Sequence, residues 1–112
     1  MEIKSKQQGI KVVADVLDIL GGKWRGQILA HLCDAPKRFN ELKIVLNNIT
    51  SSTLTKELRY LEDIKMVERK MIQETPIIIE YRLTEHGMPI KDLISTIVQW
   101  GLKHRKTVFG MR

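Results

Sequence analysis

Between Thr50 and Leu83 the hydrophobic period of the chain changes once, from about 3.6 residues to 2, and that single change limits the folds open to it. Over Thr50 to Lys65, Leu54, Leu58 and Leu61 share one narrow face at about 100° per residue, with Ile64 beside it, while Ser52, Thr55, Lys56 and Arg59 fall opposite. Thr50 can cap the first turn, because its hydroxyl oxygen can accept from a backbone N–H that has no partner inside the helix. No Gly or Pro interrupts the run, so the spacing predicts a two-faced helix over about 51–65. From Val67 onward Val67, Arg69 and Met71 alternate with Glu68, Lys70 and Ile72. After Gln73-Glu74-Thr75-Pro76, Ile77, Ile79, Tyr81 and Leu83 alternate with Ile78, Glu80 and Arg82, which predicts a β-hairpin over about 67–83.

The elements ahead of that helix decide what it belongs to. Residues 1–10, with Lys4, Lys6, Gln7, Gln8 and Gly9, lack periodicity and predict a flexible N-terminal arm. Val12, Val13, Val16, Leu17, Ile19 and Leu20 then fill one broad arc of a first helix, stopped by Gly21-Gly22. A second helix follows from Trp24 to Cys33 and ends at Asp34-Ala35-Pro36. Phe39, Leu42, Val45 and Leu46 mark a third, short helix, and Asn47-Asn48 makes a tight break before Thr50. Two short helices joined by a polar turn, the second with a basic hydroxylated face, are the sequence form of a helix-turn-helix, and a hairpin placed directly after is a wing. The reading is mainly α with a small β-hairpin wing (α+β), one winged helix-turn-helix domain over residues 11–112.

Past the hairpin, Thr84 can cap and Leu83 with Met88 can staple a new helical start, while Pro89 predicts an irregular turn before a regular helix over about 90–103. Its apolar set, Ile90, Leu93, Ile94, Ile97, Val98, Trp100 and Leu102, covers about half the circumference, more than one docking stripe requires. The excess predicts a partner. Gly101 lies within the arc and permits close backbone approach, so a helix-to-helix homodimer is expected, the alternative being a long helix that wraps its own subunit. The tail from Lys103 to Arg112 is predicted to be partly mobile.

Composition narrows the function. At 112 residues with a formal net charge of +6, the chain can bury one core without staples and favours a polyanionic partner. No apolar run reaches about 18 residues and no leader pattern opens the chain, so a cytoplasmic protein with no membrane partner is expected. Cys33 is the single cysteine, and His31, His86 and His104 lack metal-ligand spacing, so no metal and no cofactor are expected. Cys33 extends an apolar stripe and reads as a small core residue, with a reactive thiol as the alternative. Trp24 reads as a core anchor, although Lys23 and Arg25 beside it could reach phosphates. Nothing resembles a Ser-His-Asp, paired-carboxylate or Gly-rich phosphate constellation, and an enzyme is the weakest reading.

Hydroxyls, cations and a helix N-terminus are what phosphate oxygens and base edges pair with, so the outward face of residues 51–65 suits a major groove of double-stranded DNA. Glu57, Glu62 and Asp63 dilute that charge, and an ordinary solvated face is the plainer account of this helix taken alone. The expected DNA-facing set is Thr50, Ser51, Ser52, Thr53, Thr55, Lys56 and Arg59 on the helix, Arg69, Lys70 and Gln73 on the wing, and Arg38 ahead of the third helix.

Taken together, Leu17-Asp18-Ile19-Leu20-Gly21-Gly22-Lys23-Trp24, Arg38-Phe39-Asn40-Glu41-Leu42, the run from Thr53 to Glu62, Val67-Glu68-Arg69 and the run from Glu80 to Gly87 resemble the HxlR-type winged helix-turn-helix regulators, in the family's order from about residue 11 to 103. The resemblance implies a bacterial or archaeal homodimer, joined through its N- and C-terminal helices, that binds a palindromic operator. It assigns Val12, Val13 and Val16 to the dimer seam alongside Ile94, Ile97, Val98, Trp100 and Gly101. Two departures stand out. Many members open the first long helix with a Cys-Pro pair that in some senses electrophiles or oxidants, and here Lys11 and Val12 occupy those positions. Many carry an arginine after the wing proline, where this chain has Pro76-Ile77-Ile78. A winged-helix module that binds a protein and reads no DNA is the alternative, favoured by Ile77-Ile78 and disfavoured by the basic helix face. The inducing signal stays open between a small-molecule effector in the dimer interface and an intersubunit disulfide through Cys33.

Overall fold

The structure, a computed structural model, describes residues 3–110. In chain order it contains α1 (Lys6–Leu20), α2 (Arg25–Asp34), α3 (Phe39–Val45), α4 (Ser51–Asp63), β1 (Val67–Gln73), β2 (Ile78–Leu83) and α5 (Ile90–Phe109). Leu54, Leu58 and Leu61 of α4 are fully buried in one core with Ile28 and Leu29 of α2 and Leu42 of α3. Burying one such side chain stabilises the fold by roughly 1.5–3 kcal/mol. This three-helix core fixes α4 by its apolar stripe and leaves the opposite face outward.

Local chemistry sets each boundary of the helix-turn-helix. Asn47 and Asn48 reverse the chain at φ 31° and 73°, left-handed conformations that asparagine tolerates better than most residues. Thr50 caps α4 as expected, its Oγ1 accepting from the Thr53 N–H at 3.0 Å. At the start of α3 the Arg38 N–H donates to the Glu41 carboxylate at 2.7 Å, so this arginine's backbone opens the helix.

The hairpin is antiparallel, with Val67 opposite Leu83 and Arg69 opposite Tyr81. Its register shifts between Met71 and Gln73, so Ile72 is an extra residue and the alternation read from the sequence fails there. The second strand starts at Ile78, one residue later than its alternation suggested. Lys37, ahead of α3, makes a single antiparallel bridge to β2, donating its N–H to Tyr81 at 3.0 Å and accepting from it at 2.7 Å.

Two expectations are corrected at the ends of the chain. Residues 6–10 are not a loose arm but the first turns of α1. Ser5 Oγ accepts from the Gln8 N–H at 3.1 Å, and the Gln8 side chain accepts from the Lys4 N–H at 2.8 Å, a reciprocal cap that the apolar pattern could not reveal. Likewise the tail beyond Lys103 continues α5 to Phe109, where Gly110 at φ 66° closes the helix by donating its N–H to the Lys106 carbonyl. Met1, Glu2, Met111 and Arg112, at the extremes of the expected arm and tail, lie outside the described residues.

Neither α1 nor α5 contributes a fully buried residue. Val12, Val13, Ile97, Val98 and Trp100 are exposed, Val13 to 57% and Trp100 to 67%. Val16, Ile94 and Gly101 are half-buried, and Ile94 packs against the core. A side-chain methyl at Gly101 would meet nothing within 4 Å. Among the described residues no helix is long and apolar enough to cross a membrane.

Candidate nucleic-acid interface

The outward face of α4 is an exposed polar surface that the core holds in a fixed orientation. Ser51, Ser52, Thr55, Lys56 and Arg59 line one shallow hollow along it. Ser52, Thr55, Lys56 and Arg59 are exposed, and among the described residues their side chains form no hydrogen bond or ion pair that would have to break before a ligand is met. The other hydroxyls are already engaged. Thr50 Oγ1 donates to Thr53 Oγ1 at 2.9 Å, and Ser51 Oγ accepts from Lys43 Nζ at 2.8 Å. Thr50 and Thr53 thus serve the helix start, and Lys43 of α3 adds a cation beside the N-terminus of α4 that periodicity in α3 alone did not single out.

The wing set divides. Arg69 Nε sits 3.3 Å from Glu62 Oε1, and Arg69 lines a second hollow with Thr55, Arg59, Glu62, Asp63 and Tyr81. The structure therefore brings Arg59 and Arg69 to the same concavity, with Glu62 and Asp63 between the helix and the wing partly offsetting their charge. Both arginines are exposed, and a surface pair of this kind contributes little, so exchange of the carboxylate for a phosphate is feasible. Lys70 is exposed on β1 opposite Glu80.

Gln73 is exposed, and its amide nitrogen is engaged locally. Its Nε2 donates to the Thr75 and Pro76 carbonyls at 3.2 and 3.3 Å, so it stitches its own turn. Arg38 lines a separate hollow with Phe39, Asn40, Ile44, Ile77 and Ile79. Glu57, counted above as diluting the basic face, does not do so. Arg25 neutralises it at 2.9 Å on the side turned toward α2, a pairing across 32 positions that no local period could signal.

A helix-turn-helix with its second helix held face-outward by a three-helix core, a two-stranded wing directly after it and long flanking helices define a winged helix-turn-helix transcription regulator. The HxlR-like helix-turn-helix family model matches residues 19–108, and the chain belongs to that family. It is 36% identical over 108 residues to the uncharacterized HTH-type transcriptional regulator YtcD of Bacillus subtilis, spanning 96% of this chain and 85% of that protein. It is 40% identical over 96 residues to YdeP of the same organism, also an uncharacterized HTH-type transcriptional regulator, spanning 86% and 75%. Among solved structures it is similar to the redox regulator HypR in its reduced form, with a TM-score of 0.80 and 36% identity over 86% of this chain and 95% of that one. A MarR-family transcriptional regulator from Enterococcus faecalis superposes with a TM-score of 0.79 at 31% identity, over 96% and 94%.

Proposed function

We propose that the protein is a homodimeric, sequence-specific regulator that binds a palindromic operator, with α4 in the major groove and the β1–β2 wing on the flanking backbone. One observation carries the reading. The single face of α4 that the core does not use holds Ser52, Thr55, Lys56 and Arg59 exposed together in one hollow. The exposed apolar faces of α1 and α5 support the dimer, since aromatic and aliphatic side chains such as Trp100 and Val98 are otherwise costly to leave in water. Two-fold symmetry then places half-sites roughly one helical turn, about 34 Å, apart.

Selection of bound sequences from a random duplex pool tests this directly. The expected product is an inverted repeat with that spacing, and enrichment of no motif sinks the proposal. Within the operator, Arg59→Ala should cost about 1–3 kcal/mol at one base position and relax discrimination there. Lys56→Ala should instead weaken all duplexes alike and lower the salt slope by about one unit. These two outcomes separate base reading from phosphate anchoring, and an Arg59→Ala protein with full discrimination refutes the first assignment.

One relative is described as a redox regulator, and this chain has one thiol with which to compare it. Burial pushes the Cys33 thiol above its ordinary pKa; the Lys91 ammonium pulls against that shift and Asp34 adds to it. A thiol held protonated at neutral pH is a poor nucleophile. Iodoacetamide should therefore modify Cys33 more slowly than free cysteine at pH 7, with the rate rising only in the alkaline range. Fast modification at neutral pH would reinstate Cys33 as the sensor, and slow modification directs the search for a signal to a small-molecule effector at the seam between α1 and α5.

A protein-binding module has one observation in its favour. Ile44 and Ile77, 77% and 66% exposed, flank the hollow beneath the wing. Titration with random duplex at low salt separates the readings, because a DNA-binding dimer shows nonspecific affinity there and the module shows none.

A further inference from the structure

We infer that Arg25 is a positioning residue that ties the recognition helix α4 to the dimerisation helix α1, so that the geometry of the dimer seam sets the separation of the two DNA-reading faces. The inference rests on the homodimeric DNA-binding reading above.

Three groups from two helices converge on one guanidinium. Its Nε donates to Glu57 Oε2 at 2.9 Å, its Nη1 donates to the Asp18 carbonyl at 2.9 Å, and its carbon stands 3.7 Å from the centroid of the Tyr60 ring. Glu57 and Tyr60 are one turn apart on α4, and their sequence neighbours Lys56 and Arg59 face outward. The side chains of Arg25 and Glu57 are 25% and 14% exposed, so the pair is shielded more than an ordinary surface bridge. A planar fork can donate from its edge to two acceptors while an aromatic ring covers its face, an arrangement that a lysine ammonium cannot reproduce.

What gives this contact weight is how little of α1 is otherwise held: among the described residues, Ile19 and Leu20 at its C-terminal end are the hydrophobic side chains of the helix that pack against the core. That helix buries no residue fully in its own subunit. Its connection to α2 runs through Gly21-Gly22, with Gly22 at φ 69°, a joint whose direction is not dictated by side-chain bulk. The Asp18 carbonyl is in the last turn of α1, where carbonyls lack partners within the helix, and it accepts from Arg25 and from the Gly21 N–H at 3.3 Å. A swing of α1 must therefore either break the Arg25 bond or drag the guanidinium, and with it Glu57 and Tyr60 of α4. Beside the core packing of Ile19 and Leu20, the Arg25 side chain is the polar link between the dimer seam and the reading face.

The test is a pair of measurements on the full-length dimer. Spin labels at Asp63→Cys, in a Cys33→Ala background, report the distance between the two α4 helices without DNA. The parent should give one narrow distribution, Arg25→Ala and Glu57→Gln broad ones, and Arg25→Lys an intermediate width. In parallel, the parent should prefer one half-site spacing on the order of tenfold over its neighbours, the usual scale of coupling between sites, and Arg25→Ala should flatten that preference. Its low-salt affinity for random duplex should stay unchanged, which a merely unfolded variant would not manage. If Arg25→Ala does not fold by circular dichroism, Arg25→Lys and Glu57→Gln decide the matter. Parental distance distributions and spacing preference in the folded variants overturn the inference. A parent dimer that shows no duplex preference at all defeats the DNA reading instead, and the distance distributions then decide the role of Arg25 alone.

Discussion

Gly101→Leu should split the dimer and abolish tight operator binding while leaving the subunit as stable as before. The opposite signs of these two effects make the result diagnostic. A methyl built at Gly101 meets nothing within 4 Å in its own subunit, so the new side chain starts into open space there. Leucine is also a better helix former than glycine, by roughly 0.5–1 kcal/mol, which should hold the melting temperature level or raise it slightly. Across the seam the effect reverses. Gly101 lies in the apolar arc of α5, which exposes Leu93, Ile97, Val98, Trp100 and Leu102. If two such arcs meet, the glycine is where their backbones come closest, and a four-carbon branch there forces them apart. A single subunit holding one half-site forfeits the gain from linking two contacts, commonly a factor of about 10²–10⁴. Sedimentation velocity should show the parent as a dimer and Gly101→Leu as a monomer, with operator affinity lower by that order. A variant that sediments and binds like the parent would place the seam elsewhere.

The sequence was most informative where one segment carried its own explanation. The α4 stripe of Leu54, Leu58 and Leu61, the Thr50 cap and the Asn47-Asn48 reversal depend on neighbours within a turn or two, and all three were readable from spacing. So was the outward face of Ser52, Thr55, Lys56 and Arg59, because the side of a helix opposite a buried stripe faces solvent unless another element covers it. What escaped was either masked by weak periodicity or set by tertiary partners. The first turns of α1 have little apolar content and depend on a Ser5–Gln8 cap, which in sequence is only a serine three residues before a glutamine. The end of α5 is marked by Gly110, a stop signal set after six further residues of mixed polarity. At the site, the turn-bound amide of Gln73, the Glu62 partner of Arg69 and the Arg25–Glu57 bridge are relations between segments, and a hydrophobic period reports only how a segment meets its own core.

Gly87→Ala should be among the most destabilising single-methyl additions available to this chain, in contrast with the harmless methyl at Gly101 in an isolated subunit. Gly87 is buried, and a Cβ built on it collides with the Met66 carbonyl oxygen and crowds the Met66 carbonyl carbon at 3.1 Å. The obstacle is backbone, so no rotamer change relieves it. Nor is the Met66 backbone free to move. Its N–H donates to the Leu61 carbonyl at 3.0 Å at the end of α4, and its carbonyl accepts from the Thr84 N–H at 3.0 Å. Thr84 in turn holds Gly87 directly, its Oγ1 accepting from the Gly87 N–H at 2.9 Å. One methyl therefore strains the junction that fastens the end of α4, the start of β1 and the turn before α5. Overpacking of this kind costs about 1–3 kcal/mol, and in a domain of this size each kcal/mol lowers the melting temperature by roughly 4–8 °C. The end of α4 should loosen first, since Leu61 and Met66 lie on the same path of hydrogen bonds. Hydrogen exchange at the Met66 and Thr84 amides should rise more in Gly87→Ala than exchange at Ile28 or Leu29 in α2, which share the core but lie off this path of hydrogen bonds. Uniform acceleration across all four would mean that the turn is not a separate fastening and that its glycine matters only through global stability.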